Sequence, residues 1–411
     1  MGTRTRRALL VAGGAAAAIA GLGYRAWDRG ALPGTSPDSP YLPWRSWEGS
    51  PAEGSLRLVR AAILAASPHD TQPWIFEVDK DAIEVSADRA RNLGSFDPFR
   101  REMHLGIGAA IENLMLAAQA DGFAAEVEPA DGKLSLSPEN TPIVAARVAL
   151  APARSKRDSL FAAIPDRHTN RGPYRFDQNV DPGRLRDFEE LVENDAVRVA
   201  FLTNEQARRD LAAIIIEATS RIVDDAEMSA DSARWFRTGR REIVAHRDGA
   251  TVDTAGLSPF MRAIAKLMPD MDARSSDMYW LAMTRDVQVP TAPALGMLFV
   301  RDRLDMRSAI AAGRAWQRLH LAATVAGLAA QPLNQPIERM DRDAMLGRPS
   351  RFASELAKFA PEKGWEPTFC IPSRLCRTPG ASQPAADLGR SRARLALCIP
   401  ASLQSRVGVR I

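Results

Sequence analysis

The chain has 411 residues, of which 45% are hydrophobic and 25% are charged. This length predicts two or three folded units, and the composition excludes wholesale disorder, collagen-like repeats and a multi-span membrane protein. The net charge of +4 lies at the two ends, because residues 1–30 carry +4 and residues 371–411 carry +6, which leaves −6 for residues 31–370. A mildly acidic body argues against nucleic acid as a partner.

The N-terminus has the order of an export signal. Arg6 and Arg7 directly precede an uncharged run, rich in Ala and Gly, over residues 8–24. The arginine pair resembles a twin-arginine signal, a class that carries folded proteins and so favours a bound cofactor. Because no clear small-residue cleavage site follows the run, an uncleaved membrane anchor is the alternative. We therefore predict a signal or anchor over residues 1–30, an exported, periplasmic or membrane-anchored location, and a linker over residues 31–54.

Helices and strands are predicted to mix along the body. The first half is predicted to contain a helix over 55–66, a hairpin of strands 74–79 and 82–87, a helix over 101–121, and strands near 125–129 and 145–150. The second half is predicted to contain helices near 155–163 and 182–192, strand 197–202, helix 204–228, strand 295–300 and helix 305–328. The absence of a regular βαβ rhythm favours an α+β fold.

Two of these helices form an internal repeat. Residues 108–122 and 313–327 share seven identical residues at a constant offset of 205. This similarity predicts a duplicated unit, with halves at 55–150 and 151–369, whose two long buried helices pack on each other. The chain is therefore expected to act as a monomer that is a fused pseudo-dimer. Residues 231–275 have no counterpart in the first half, and we interpret them as an insertion that acts as a lid.

Several classes of site are absent from the sequence. The body lacks cysteine up to residue 369, and its five histidines show no metal-ligand spacing, which argues against a disulfide framework and a metal site. It also contains no GxSxG nucleophile elbow and no phosphate-binding GxxxxGK[ST] loop.

Three turns carry the candidate binding residues. The first turn, between a helix end and a strand start, combines prolines with small polar side chains that fix backbone groups for a ligand. The second turn holds two arginines four residues apart, whose planar guanidinium groups suit a phosphate. The third turn follows the second repeat helix and is missing from the first repeat. The candidate residues are Ser67, Pro68, His69, Asp70 and Gln72 in the first turn, Arg167, His168, Thr169 and Arg171 in the second, and Pro332, Leu333, Asn334 and Gln335 in the third.

Together these turns resemble the nitroreductase family of FMN-binding flavoproteins, and their order is similar to its Acg-type, fused-dimer branch. The resemblance covers residues 55–370. It implies that the first turn contacts FMN, that the arginines hold the FMN phosphate, and that the third turn presents a backbone N–H near flavin N5. Asp70 departs from the family, which usually has Asn at this position.

The resemblance also implies an activity. An FMN-dependent oxidoreductase of this family passes electrons through flavin N5 from a small reduced donor to a small acceptor, such as a quinone, a nitroaromatic or an enone, and needs no catalytic side chain. A flavin-sequestering, stress-linked binding protein without turnover is the alternative. A third interpretation is an interaction module without a cofactor.

The tail differs from the rest of the chain. Residues 370–411 contain all three cysteines and seven Arg but no Lys or Glu. The resemblance implies a final strand similar to Phe-Arg-Leu-Gly-Tyr, and one permitted set of codons for Cys370–Cys376, read one base later, encodes that sequence. We therefore interpret the tail as a frameshift product that leaves the last strand unpaired. A natural extension, in which Arg374 or Arg377 contacts the phosphate, is the alternative.

Overall fold

The computed structural model describes residues 3–32, 39–50, 53–174 and 181–374. The α-helices of this part are α1 (Thr3–Asp28), α2 (Leu42–Arg45), α3 (Leu56–Ala62), α4 (Arg101–Ala120), α5 (Ser159–Ala162), α6 (Pro182–Val192), α7 (Glu205–Val223), α8 (Ala226–Ala233), α9 (Arg240–His246), α10 (Pro259–Leu267), α11 (Ala273–Met283), α12 (Met306–Val325), α13 (Gln335–Met345) and α14 (Arg351–Leu356). The strands are β1 (Trp74–Val78), β2 (Ala82–Ala87), β3 (Phe123–Pro129), β4 (Ile143–Pro152), β5 (Arg198–Leu202), β6 (Phe236–Arg237), β7 (Ala250–Thr251), β8 (Ala294–Val300), β9 (Ala329–Ala330) and β10 (Glu366–Arg374). The predicted α+β class is confirmed.

Local sequence signals explain several element boundaries. The predicted hairpin forms, with β1 antiparallel to β2. Helix α6 begins where Asp181 accepts a hydrogen bond from the Gly183 N–H at 2.9 Å. The prediction of a single helix over 204–228 is wrong, because two helices form there. Helix α7 ends at Val223, and Asp225 caps α8 by accepting a hydrogen bond from the Met228 N–H at 3.3 Å.

Two four-stranded antiparallel sheets have the same topology. The first has the order β1-β2-β4-β3 and the second the order β5-β8-β10-β9. A long helix lies in sequence between the second and third strands of each half, α4 in the first and α12 in the second. Corresponding elements therefore follow one another in the same order in both halves.

Helices α4 and α12 cross at two glycines. A Cβ atom built on Gly108 would overlap the carbonyl oxygen of Ile310, and one built on Gly313 would overlap the carbonyl oxygen of Leu105. Only glycine permits this approach of the two backbones. The repeat offset of 205 relates Leu105 to Ile310 and Gly108 to Gly313. When each residue is replaced by its counterpart in the other repeat, the first contact therefore becomes the second.

A second pair of contacts across the same crossing exchanges in the same way. The amide of Gln317 donates to the Asn113 side-chain oxygen at 2.8 Å, and the guanidinium of Arg318 donates to the Glu112 carboxylate at 2.8 Å. The offset of 205 relates Asn113 to Arg318 and Glu112 to Gln317. Such reciprocity is the property of a two-fold interface.

The segment without a counterpart is longer than the predicted insertion at 231–275. Residues 79–81 join β1 to β2, whereas residues 203–293, which include α7 to α11, join β5 to β8. We call residues 203–293 the insertion. A further addition, α13 and α14, lies between β9 and β10. Composition alone did not give these bounds, because α7 has the pattern of an ordinary core helix.

The last strand is present, contrary to the expectation of an unpaired strand. β10 extends to Arg374. It pairs with β8 as far as Ser373, and its last two residues pair with β9. Cys370 and Ile371 are buried, because apolar side chains in this part of the tail fill the core of the second sheet. That expectation was wrong for residues 370–374. Residues 375–411 lie outside the described residues, so the frameshift stays a prediction.

Helix α1 covers the run that was interpreted as a signal or anchor. None of the helices in the described part of the chain combines the length and the apolarity that a membrane crossing requires.

The glycine crossing generates a prediction. Gly313→Ala should lower the free energy of unfolding by about 1–3 kcal/mol, because the new methyl group meets backbone that can move only with the whole of α4. Urea denaturation measures the change. Gly21→Ala in α1 is the control, since its Cβ would meet no atom and should cost nothing. Equal stability of Gly313→Ala and the wild type would contradict the close crossing.

Candidate functional site

The first turn has a strained backbone. His69, Asp70 and Gln72 have φ values of 48°, 54° and 49°, in the left-handed region that non-glycine residues rarely adopt. Ser67 holds the turn, because its hydroxyl oxygen accepts a hydrogen bond from the Gln72 N–H at 3.0 Å. Backbone strain of this kind persists where the surroundings enforce it, and it is common at binding sites.

The first turn lies against α4. A Cβ atom on Gly106 would be only 3.1 Å from Pro68 Cδ, so glycine at this helix position permits the contact. The ring of His69 packs edge-on against the ring of Phe96, with ring centroids 5.1 Å apart. Burial, with a smaller contribution from the positive charge of Arg171, lowers the pKa of His69 to about 4. His69 is therefore neutral at physiological pH.

The insertion contacts the first turn through three hydrogen bonds. They join His69 Nε2 to Ser232 Oγ at 2.8 Å, Gln72 Nε2 to the Arg247 carbonyl at 2.9 Å, and the Gly249 N–H to the Asp70 carbonyl at 3.0 Å. The strained turn is thus enclosed by the insertion on one side and by α4 on the other.

Arg167 in the second turn is a buried cation. Only 4% of the residue is exposed. Its Nη2 donates to the Leu64 carbonyl at 3.1 Å and its Nη1 lies 3.4 Å from His320 Nδ1, while its Nε has no hydrogen-bond partner among the residues that the structure describes. Burial lowers its pKa to about 10, so it remains charged at neutral pH. None of the described carboxylates forms an ion pair with it, which is unusual for a buried charge.

The rest of the second turn is held by neighbouring segments. His168 packs on Trp44 with ring centroids 4.7 Å apart, and partial desolvation together with the charge of Arg167 lowers its pKa, although the side chain is exposed. Trp44 lies in residues 39–50, which we predicted as linker but which fold onto this turn. Thr169 pairs with Ala330 as an isolated bridge. Arg171 Nη1 donates to the Thr254 carbonyl of the insertion at 3.1 Å.

Asp70 connects the first and second turns electrostatically. The Asp70 side chain is exposed to solvent, and its pKa is raised by partial desolvation within the turn and by the charge of Asp248. The hydrogen bond from Gln72 and the charges of Arg171 and Arg167 oppose this rise. Because the Asp70 carboxylate keeps contact with water, its negative charge opposes an anion bound by the arginines.

The third turn is fixed to β10. Leu333, Asn334 and Gln335 are buried, and Pro332 is partly buried. The Leu333 N–H donates to the Cys370 carbonyl at 3.1 Å, and the Asn334 side-chain oxygen accepts from the Cys370 N–H at 3.1 Å. The N–H of Leu333 is therefore not free for a ligand. That of Asn334 makes no hydrogen bond within the described part of the chain.

A bridge of backbone contacts joins the second turn to the third. The Asn170 N–H donates to the Ala330 carbonyl at 3.1 Å, two residues before the third turn begins. The structure thus brings together the first and second turns through Asp70, and the second and third turns through β9.

Sequence reasoning missed a buried charge cluster at the start of α4. Its members are Asp97, Arg101, Glu102, Asn334, Glu338 and Asp341. Arg101 Nε donates to Asp341 at 2.7 Å and its Nη1 donates to the Thr368 carbonyl at 2.7 Å. Glu102 accepts from the Asn334 amide of the third turn. The only sequence signal was an Arg–Glu pair that opens an otherwise apolar helix.

The cluster contains more carboxylates than cations. Burial raises the pKa of Asp97 to about 6 and that of Glu102 to about 7, although the positive charge of Arg101 opposes both shifts. Burial and the neighbouring charge of Glu102 raise the pKa of Glu338 well above its usual value. One Glu338 oxygen has no hydrogen-bond partner in the described part of the chain. The native cluster therefore retains protons near neutral pH.

Glu338→Gln should stabilise the protein at alkaline pH. A carboxyl group whose native pKa is raised costs stability as the pH rises above its unfolded value of 4.5, and the amide removes that cost. We expect a Tm gain of about 2 °C or more at about pH 8 and little change at about pH 5. Thermal denaturation at both pH values measures it, with exposed Glu362→Gln as the control. A gain of the same size at both pH values would contradict the assigned protonation.

Comparison with known proteins gives relatives of one kind. The chain is 27% identical over 302 residues to "Putative NAD(P)H nitroreductase Rv3131" of Mycobacterium tuberculosis, a match that covers 72% of this chain and 80% of that protein. It is also 27% identical over 186 residues to "Putative NAD(P)H nitroreductase acg" of the same organism, which covers 43% of this chain and 52% of that protein. No protein-family model matches the chain.

Solved structures give weaker similarities. The FMN-dependent nitroreductase NfnB from Mycobacterium smegmatis, solved with NADPH, is 19% identical and covers 53% of this chain and 86% of its own, with a TM-score of 0.32. A nitroreductase, named as putative, from Anabaena variabilis is 11% identical and covers 71% of this chain and 68% of its own, with a TM-score of 0.39. We draw no conclusion from TM-scores this low. The named relatives confirm the resemblance to nitroreductases that the three turns indicated.

Proposed function

We propose that the chain is an FMN-binding, nitroreductase-like oxidoreductase. The observation that carries this proposal is Arg167, a buried arginine without a carboxylate partner in the described residues, next to Arg171. A phosphate would form the charge-assisted contact that offsets the cost of burying this guanidinium. The relatives named as NAD(P)H nitroreductases agree with such a function.

The polar groups that lack partners suit FMN. Among the described residues, Arg167 Nε has no acceptor and could donate to the phosphate, and the buried side-chain oxygens of Gln331 and Gln335 have no donor. The Asn334 N–H is a donor available to a ring atom. An isoalloxazine ring edge offers both donors and acceptors, so these groups complement it. When bound, FMN would supply hydride and electron transfer at N5 between a small reduced donor and a quinone, nitroaromatic or enone acceptor.

The protein's own part would be binding, orientation and exclusion of water. Arg167 and Arg171 would hold the phosphate, and the first and third turns would position the ring. His69 and His168 are uncharged at neutral pH and so add no positive charge beside the arginines. The insertion, through its hydrogen bonds to the first turn, would keep water out. No side chain is assigned as a nucleophile or a proton donor.

We also propose that the chain is an intramolecular pseudo-dimer. The matched sheet orders support it, and so do the two pairs of contacts that exchange under the offset of 205. The first repeat has no counterpart of the third turn after Gly122, which favours one complete site per chain. We retain the twin-arginine route for residues 1–30 as a proposal that rests on the sequence alone.

A flavin-sequestering protein is the second candidate. The three hydrogen bonds between the insertion and the first turn favour it, because they close the site against other molecules. Stopped-flow reduction of the FMN-loaded protein separates the candidates. Reduction by both NADPH and dithionite supports the oxidoreductase, whereas reduction by dithionite alone supports the binding protein.

Arg167→Ala should weaken FMN binding about ten-fold or more, because it removes a charge-assisted contact worth roughly 1.5–3 kcal/mol. Titration of the apoprotein with FMN, followed by flavin fluorescence, measures the Kd. Arg184→Ala is the matched control, since Arg184 is a solvent-exposed arginine on α6. If both variants bound FMN as the wild type does, Arg167 would not hold the phosphate.

Asp70→Asn should keep or strengthen FMN binding, because it removes a negative charge beside the arginines. In the wild type, the negative charge of Asp70 should oppose binding of the FMN phosphate by the arginines. The asparagine side chain carries no charge at any pH. FMN titrations at about pH 6 and pH 8 compare the two proteins. Loss of FMN from Asp70→Asn would show that the carboxylate has a positive role.

A further inference from the structure

Helix α10 is amphipathic, but its apolar face is turned to solvent and its charged face is turned to the protein. Its apolar side chains point to solvent: Phe260 is 73% exposed, and Met268 and Met271, just after the helix, are 57% and 58% exposed. We call Phe260, Met261, Ile264, Leu267, Met268 and Met271 the α10 surface. A helix on the surface of a globular protein normally buries such residues. Six large exposed apolar side chains in one segment mark an interaction surface.

The charged side chains of α10 point into the protein. Lys266 is buried, pairs with Asp253 at 2.8 Å and donates to the Gly30 carbonyl at 3.1 Å. Arg262 also pairs with Asp253, at 3.6 Å. The polar face of α10 is therefore its attachment to the rest of the chain, and the apolar face is the one that is left uncovered.

The end of α1 is joined to the end of α10. Arg25 donates to the Leu267 carbonyl at 3.1 Å and also to the Met268 carbonyl, which satisfies the free carbonyls at the end of α10. Arg29 forms a bidentate pair with Asp270 at 2.9 and 2.7 Å. A surface that binds the end of α1 therefore also lies next to α10.

Helix α1 also exposes apolar side chains beside this junction. Ile19 is 70% exposed and Tyr24 is 66% exposed, and Tyr24 packs on Trp27 with ring centroids 5.9 Å apart. The sequence over residues 8–24 is uncharged. An aromatic pair that ends an apolar run is typical of the boundary between lipid headgroups and acyl chains.

We propose that the α10 surface and α1 dock together on a phospholipid bilayer, with α10 lying in the plane of the interface. A bilayer fits better than a protein partner for two reasons. The end of the uncharged run of α1, where Ile19 and Tyr24 are exposed, is joined to the end of α10 through Arg25. The basic residues at the junction, Arg25, Arg29 and Lys266, are already paired within the chain, which leaves apolar insertion as the source of binding.

Hydrogen exchange of the full chain with vesicles of phosphatidylcholine tests the proposal. Binding by apolar insertion should slow exchange over residues 258–272 and should persist in about 1 M salt, where the Debye length is about 3 Å. Protection confined to residues 3–28 would overturn the role of α10. Protection of 258–272 that grows with protein concentration, without vesicles, would assign the surface to a second copy instead.

A variant pair provides the second test. Phe260→Ser combined with Met271→Ser should lower the vesicle partition coefficient about ten-fold or more, since two large apolar side chains no longer insert. Both positions are solvent-exposed, so the fold should be retained, which circular dichroism checks. Leu136→Ser is the matched control, an exposed apolar residue of the first half, and should bind as the wild type does. An equal loss in both proteins, or in neither, would overturn the proposal.

Discussion

The close crossing of α4 and α12 is the contact on which the candidate site depends. At Gly108 and Gly313 the two backbones meet without side chains between them. The same α4 receives the first turn at Gly106, and α12 presents His320 to the buried Arg167. A larger residue at either crossing position would separate the helices and, with them, the turns that they carry.

Buried charge is distributed unevenly around this crossing. Arg167 is a cation without a described carboxylate partner, whereas the cluster around Arg101 and Glu102 has an excess of carboxylates that retain protons. The third turn links the two regions. Its Asn334 side chain bonds to Glu102, and the strand just before the turn, β9, pairs with the second turn. We infer that the cluster holds the third turn in place and that Arg167 is available to bind an anion. Stability and binding thus depend on different charges.

Local signals predicted much of the fold, and long-range contacts account for what was missed. The β1–β2 hairpin and the Asp181 cap follow from residues close together in sequence. The Arg101–Asp341 pair joins residues 240 positions apart, which no single-sequence pattern reveals. The three turns were found because their composition is unusual, but the bond from the Leu333 N–H to Cys370 depends on the pairing of β10, which the tail composition had argued against.

Whether the three turns form one flavin site is the central question, and the absorption spectrum of the full chain purified from cells tests it most directly. If the turns form one flavin site, the protein should show flavin bands, and denaturation should release stoichiometric FMN, identified by chromatography. Protein that is colourless, and that stays colourless after incubation with FMN and removal of the excess, would show that the three turns do not form a flavin site.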